Sequence, residues 1–487
     1  MPFDIICLSK EYEFFMRNVR KCMAAVLLAA ASVFAAGCAA VSGSYHDDSY
    51  CGNWSGMSAE KEPIQTSAAE RYPVIFIHGL LGSKLVDTAD EGKIIWGDFS
   101  LRSMSDRALE RLILPYDEYA AGAKSALKVA GILDCSPVQL LGFRWNLNNY
   151  KPMLDLFKNL GYRAECTPEA SEKCGANLFV FVYDWRKSIA ENAAGLARFV
   201  EEKKEYLEGV YQKYEHLRDR EVRFDLIGHS MGGLIARYYV QYGAAQLGRK
   251  GKPLPGLTWY GARNVRKVVM IASPNGGYAD TLVELVNGLQ LAPGSPVIPA
   301  GVLGSFVSYY QMLPVAAAGA VRYNDSNKNV DVLDVEIWKK YQWGLLKDSN
   351  ENRRMLAKMY PDLNEDERRE KALQYLSDCL DSAARFQLAM AKPMGLPPEP
   401  VRFYCFASAG KPTAARLSVD EKSGAVKTAL LHCGDGKVTL DSAHWDYRNT
   451  ASPMVWQSVI TLDGGHMGIM RSAIFARNLA HVLICEP

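Results

Sequence analysis

The chain has almost no net charge. Its 56 lysines and arginines face 54 acidic residues over 487 positions, giving +2 with histidine neutral and a pI near 7.9. Such a balance offers no bulk electrostatic attraction for nucleic acid or any other polyanion, so a nucleic-acid partner is not expected. There is no internal repeat, which excludes a solenoid. No cysteine pair has the spacing to histidines that a structural zinc site needs, so no metal is expected. Charged residues make up 23% and hydrophobic residues 48%, near the soluble globular average, which excludes a disordered, collagen-like or coiled-coil chain. The length then allows one large domain with insertions or about three small ones.

Any membrane contact must come from a local feature, and the start of the chain supplies one. Asp4, Glu11 and Glu13 spoil the first residues as the basic segment of an export signal. From Met16 the pattern improves: Arg17, Arg20 and Lys21, an apolar stretch from Ala24 to Ala36, then Gly37-Cys38. That is the layout of a secretory signal over residues 1–37, with translation expected to start at Met16. Ala35-Ala36-Gly37-Cys38 resembles a bacterial lipoprotein box, although Ala35 stands where leucine is usual. The resemblance implies that Cys38 carries lipid and, with Ala39 following, outer-membrane sorting in a Gram-negative cell. Cleavage without lipid, leaving a periplasmic protein, or an uncleaved anchor are the alternatives, the apolar stretch being marginal for a bilayer span. Residues 38–70, rich in Ser, Gly, Asp and Glu, read as a tether.

Export agrees with cysteine usage. Of eleven cysteines, Cys7 and Cys22 precede the cleavage point and Cys38 is the lipidation candidate, leaving an even eight for an oxidising compartment. Cys166 and Cys174 close a short loop and are the expected disulfide; free buried thiols are the other reading.

The folded body, residues 71–487, carries short apolar runs at Val74 to Ile77, Leu178 to Tyr183, Val222 to Ile227, Val265 to Ala272, Val401 to Ala407 and Trp456 to Leu462. Runs without polar alternation suit strands covered on both faces. Helical patterns at Tyr150 to Leu160, Ile189 to Tyr214 and Gly233 to Gly243 separate them, so the fold class is α/β with a mostly parallel sheet flanked by helices. Two gaps are too long for simple crossovers, near 85–149 and 287–399. They are expected to form a cap and a lid. Within the second, the low-charge stretch Leu289 to Val321 is the candidate acyl-chain cover, with ordinary buried packing as the alternative.

Gly228-His229-Ser230-Met231-Gly232 lies between the strand pattern ending at Ile227 and a helical one, which is the context a nucleophile elbow requires. The turn is strained so as to project the serine hydroxyl, and glycines beside it permit close strand–helix approach. A serine hydroxyl is a weak nucleophile, so it needs a base oriented by an acid, here in the order Ser, Asp, His. Asp435 in His432-Cys433-Gly434-Asp435-Gly436 is the candidate acid, with Asp441 and Asp446 as rivals and an ordinary Asp-Gly turn as the bland explanation. His466, after Leu462-Asp463-Gly464-Gly465 and expected to open the final helix, is the candidate base over His444 and His481. The oxyanion donors are expected to be the amides of Met231 and of Leu80 in His78-Gly79-Leu80-Leu81-Gly82. His78 itself reads more readily as a strand-end residue than as a catalytic one.

These pieces together resemble the lecithin:cholesterol acyltransferase family of α/β-hydrolases. They are Pro73 through Gly82, Tyr183-Asp184-Trp185-Arg186, the elbow at Ser230, Ala272-Ser273-Pro274-Asn275-Gly276-Gly277, Gly434-Asp435-Gly436 and His466. The resemblance implies an α/β-hydrolase fold, Ser230 as the acylated nucleophile served by Asp435 and His466, and long insertions facing a membrane and an acyl chain. Trp185 either lines the acyl pocket, binding substrate, or only packs, and Asp184 holds Arg186. The expected activity is that of a serine esterase on lipid acyl esters, a lipase, phospholipase or O-acyltransferase without cofactor. An esterase or thioesterase for soluble esters, or a non-catalytic envelope lipoprotein with the same fold, are the alternatives.

Overall fold

A computed structural model describes residues 71–486 apart from 91, 101–104, 124, 141–142, 166–174, 292–295, 316–318 and 446–452. The expectations for Cys38, for the export signal and tether, and for the Cys166–Cys174 disulfide lie outside these residues. At its centre is a six-stranded sheet built from the six apolar runs: β1 (Val74–Ile77), β8 (Leu178–Phe181), β9 (Phe224–His229), β10 (Val265–Ile271), β14 (Arg402–Ser408) and β17 (Ser458–Leu462). Strands are numbered in chain order with those of the insertions given below. The order is β17-β14-β10-β9-β1-β8, and every pairing is parallel.

Burial explains the sequence pattern. All four residues of β1, all six of β9 and all seven of β10 are buried, because helices cover both faces. Helices Lys151–Asn159 and Ala473–Ala480 cover one face, inserting Met153, Phe157, Phe475 and Leu479 beside Phe76 and Phe406. On the other face helices Ile189–Tyr211 and Met231–Tyr242 place Leu196, Val200, Leu234 and Ile235 against Ile75, Leu226 and Val268. The chain runs from β1 to the edge strand β8 and returns to β9 on the far side of β1. The crevice at the carboxyl ends of β1 and β9 is therefore a topological switch point, where ligands of α/β sheets bind.

The insertions hold the rest. Between β1 and β8 the chain forms β2 (Ser83–Asp87), β3 (Ile94–Trp96), β4 (Phe99–Ser100), β5 (Leu127–Ile132), β6 (Cys135–Leu140) and β7 (Phe143–Asn148), arranged as sheets β3-β2-β5 and β4-β6-β7. Between β10 and β14 come helix Asp280–Asn287, the small hairpin of β11 (Leu289–Gln290) and β12 (Val297–Ile298), and β13 (Val321–Tyr323). A 26-residue helix, Glu365–Met390, follows, started by a capping box of Asn364 and Glu367. Ala300 to Leu313 of the expected acyl-chain cover is buried, Phe306, Tyr309 and Tyr310 completely. That part packs into the hydrophobic core. The sequence pattern also missed a third excursion, the hairpin of β15 (Lys411–Val419) and β16 (Val426–Gly434), which pairs with β13.

Candidate active site

Ser230 sits between β9 and helix Met231–Tyr242 at φ 53° and ψ −123°, a conformation that ordinary residues avoid. Two contacts hold it there: its N–H donates to the Ile271 carbonyl at 2.7 Å, and its carbonyl accepts the Gly233 N–H at 3.0 Å. The glycines around it are required by space. A Cβ on Gly228 would lie 2.4 Å from the Gly233 nitrogen, and one on Gly232 2.3 Å from the Ile77 carbonyl oxygen. Met231 is the first helical residue, so its N–H has no partner within the helix.

The loop after β1 lies against the serine: a Cβ on Gly79 would come within 2.9 Å of the Ser230 Cβ. This loop is held by side chains from four places. The Tyr183 hydroxyl donates to the His78 carbonyl at 2.6 Å, and its ring stacks on the imidazole at 4.2 Å. His78 Nδ1 donates to the Gly79 carbonyl at 2.8 Å, and Trp96 Nε1 to that of Leu81 at 2.9 Å. The Gly79 N–H is used by the Tyr150 hydroxyl at 2.8 Å, leaving the half-buried Leu80 as the next amide in the loop. Complete burial pushes the His78 pKa down to about 4, so the ring is neutral at physiological pH.

Trp185 is fully buried behind this loop. Its Nε1 donates to the Ser83 carbonyl at 3.2 Å, and its ring meets Trp96 and Phe306 edge to face. Asp184 holds Arg186 through both carboxylate oxygens, at 2.9 and 2.6 Å, and Arg186 in turn binds the carbonyls of Leu112 and Ile113 in the first insertion.

Asp435 and His466 come together at the sheet's carboxyl edge. His466 Nδ1 lies 2.8 Å from Asp435 Oδ2, and the other carboxylate oxygen accepts the amides of Lys437 at 2.8 Å and Val438 at 2.7 Å. Burial opposes ionisation of Asp435, but His466 and the two amides outweigh it and hold its pKa below the usual carboxylate value. An ionised Asp435 takes its hydrogen bond from His466 Nδ1–H, which leaves Nε2 unprotonated and able to accept a proton. His466 packs against His229, the residue before Ser230, with ring centroids 4.9 Å apart. The rivals lie elsewhere. Asp441 faces the exposed His432 at 3.6 Å, His481 faces Glu486 at 3.9 Å, and His444 ends the short helix Leu440–His444. Asp446 is not among the described residues.

One placement differs from expectation: His466 precedes a 3-10 turn at Ile469–Arg471, the final helix starting only at Ala473. Asp435 itself follows the unforeseen β15–β16 hairpin. Sequence reasoning also passed over Tyr150 and His229. His229 lies inside the elbow motif and was open to notice; Tyr150, 79 residues away, carries no local signal.

The family model for lecithin:cholesterol acyltransferase matches residues 132–445, well over half of the chain. No curated protein sequence matches. Among solved structures, the Tle4–Tli4 complex contains a chain 17% identical, aligned over 85% of this chain and 98% of that one with a TM-score of 0.51. EstA from Clostridium botulinum is 15% identical over 88% of this chain and 92% of its own, with a TM-score of 0.31. Lipase 1 from Pelosinus fermentans is 14% identical over 86% and 99%, with a TM-score of 0.32. The first of these shares the fold. By the family match, the chain belongs to the lecithin:cholesterol acyltransferase family and is a serine ester hydrolase or acyltransferase of the α/β-hydrolase type.

Proposed function

We propose that this enzyme cleaves acyl esters of lipids through an acyl-enzyme on Ser230. The observation that carries the reading is the strained serine next to His229, whose ring packs on the His466 of a hydrogen-bonded His466–Asp435 pair. Ser230 Oγ forms a bond to the ester carbonyl carbon as His466 Nε2 takes its proton, and Asp435 stabilises the imidazolium. The amides of Leu80 and Met231 receive the negative oxygen, each worth about 3 to 4 kcal/mol in the transition state. Collapse breaks the bond to the alcohol, which leaves with the proton from His466. Water or a lipid alcohol then attacks the acyl-enzyme by the reverse sequence, so hydrolysis and transfer differ only in the acceptor.

The exported, lipid-anchored state belongs to the same reading, carried by Gly37-Cys38 after its apolar stretch. Among the described residues no helix is long and apolar enough to cross a membrane. A Cys38→Ser variant is expected to lose incorporation of labelled palmitate and to leave the membrane fraction; retention of both removes the anchor.

The activity is tested with the protein from residue 39 onward beside Ser230→Ala, on vesicles of phospholipid and acylglycerol containing a free lipid alcohol. Serine-dependent free fatty acid identifies a lipase or phospholipase, and serine-dependent acylated alcohol an acyltransferase. Fluorophosphonate labelling without lipid turnover points to soluble esters instead, and absence of labelling at Ser230 overturns the catalytic reading.

A further inference from the structure

The loop after β1 and the backbone of His466 are joined by a buried chain of three hydrogen bonds. The Gly79 N–H donates to the Tyr150 hydroxyl at 2.8 Å, Tyr150 Oη lies 2.9 Å from His229 Nδ1, and His229 Nε2 lies 3.1 Å from the His466 carbonyl oxygen. Tyr150 and His229 are 3% and 1% exposed. Both ends of the chain are backbone groups of fixed polarity, an N–H at one and a C=O at the other. With His229 neutral, only one arrangement of protons satisfies all three bonds. The His466 carbonyl can only accept, so His229 carries its proton on Nε2; its Nδ1 is then a bare acceptor and takes the Tyr150 hydroxyl proton, while the Tyr150 oxygen accepts from Gly79. The ring states agree, since burial pushes the Tyr150 pKa up and lowers that of His229 to about 3, keeping the first protonated and the second neutral.

We propose that Tyr150 and His229 are positioning residues that set the oxyanion loop and the base as one unit. Neither touches substrate. Tyr150 engages the Gly79 N–H and so fixes the His78–Gly79 peptide, the one immediately before the peptide that carries the Leu80 amide. His229 holds the His466 carbonyl, and with it the backbone from which the base projects towards Ser230. Tyr150 lies at the end of the first insertion, one residue before helix Lys151–Asn159, so the same hydroxyl anchors that insertion to the catalytic centre. A displacement of the loop and of the base would then be correlated, which an enzyme needing both at once would gain from suppressing.

The proposal rests on the serine-esterase reading, and the experiment separates the two. Tyr150→Phe removes one oxygen atom from a ring that otherwise packs on Phe76 and His229. On a soluble p-nitrophenyl ester it is expected to lower kcat by about tenfold to a hundredfold, the usual range for outer positioning groups, with KM within twofold and Tm within a few degrees. His229→Gln keeps an N–H donor near the Nε2 position and should retain at least tenfold more activity than His229→Leu. The ring nitrogens of His229, read by NMR of histidine-labelled protein, should show an Nε2–H tautomer in the wild type, and in Tyr150→Phe the same tautomer with the Nδ1 resonance shifted by loss of its hydrogen bond. Wild-type kcat in Tyr150→Phe, a change in KM alone, or an Nδ1–H tautomer in the wild type overturns the proposal. If Ser230→Ala abolishes turnover while Tyr150→Phe keeps the wild-type kcat, this proposal fails alone. If the wild type neither labels nor turns over through Ser230, the esterase reading fails and takes this one with it.

Discussion

Asp435 and His466 are joined twice. The side chains meet at 2.8 Å between Oδ2 and Nδ1, and the His466 N–H donates to the Asp435 carbonyl at 2.8 Å. The backbone bond fixes the spacing of the two residues before either side chain acts. The remaining carboxylate oxygen is held by the amides of Lys437 and Val438, so the group cannot rotate without losing two bonds.

That constraint makes Asp435→Asn unusually informative. Two N–H groups oblige the asparagine carbonyl to take the position of Oδ1, which leaves its NH2 facing His466 Nδ1. The imidazole must then present a lone pair there and carry its proton on Nε2, the wrong tautomer for a base. A loss of about 10³ to 10⁴ in kcat is expected, with Tm within a few degrees. Stopped assays with Asp435→Asn at matched folding, checked by circular dichroism, decide it; activity within tenfold of wild type would remove Asp435 from the triad.

The two buried neutral histidines predict an acid-labile fold. His78 and His229 have folded pKa values of about 4 and 3, below the unfolded value near 6.5, so the unfolded chain binds protons that the native one refuses. Their contribution is complete above pH 6.5 and is lost as pH falls towards the folded values. Between pH 7.5 and 5 the loss is about 2 kcal/mol for each. Asp435 stays ionised in both states over that window, because its pKa lies below the ordinary carboxylate value. Urea midpoints at the two pH values should therefore converge by about half in His229→Gln; an unchanged difference would show that His229 does not carry the dependence.

The six strands of the sheet and the Ser, Asp and His positions were legible because each is a local signal. Strands buried on both faces are unbroken apolar runs, and the elbow needs only five consecutive residues. The strand at Phe224–His229 runs two residues later than its apolar pattern because His229, though polar, is buried by its hydrogen bonds to Tyr150 and His466. The β15–β16 hairpin was not legible. β16 reads Val-Lys-Thr-Ala-Leu-Leu-His-Cys-Gly and is mostly exposed between its ends, so no face imposes an alternation. Nor does any pattern announce that Tyr150, from an insertion, would reach Gly79 and His229.

The expected acyl-chain cover has a buried part and an exposed part. Leu291 and Val297 flank the turn between β11 and β12 and are 39% and 40% exposed, whereas Ala300 to Leu313 is core. Deleting the whole stretch would unfold the protein, so the test moves to Leu291→Ser with Val297→Ser. Each apolar side chain contributes roughly 1 kcal/mol when covered by lipid. Turnover on long-chain vesicles should fall about thirtyfold while hydrolysis of a soluble short-chain ester stays within twofold. An unchanged ratio of the two rates would leave this hairpin without a role in lipid use.

Glycines separate the strained elbow from an ordinary helix in a single comparison. At Gly228 a methyl group would press on the Gly233 nitrogen at 2.4 Å and its Cα at 2.5 Å, backbone atoms that cannot turn aside. Gly209, exposed near the end of helix Ile189–Tyr211, has nothing within 4 Å of the same position. Gly228→Ala must displace the helix that begins at Met231 and is expected to destabilise by about 3 kcal/mol or more. Gly209→Ala only removes unfolded-chain entropy and should stabilise by about 0.5 to 1 kcal/mol. Denaturant unfolding of the two variants measures both. Equal effects would mean that the elbow has room to spare, and that its glycines do not enforce the close approach between β9 and the helix that holds Ser230 at positive φ.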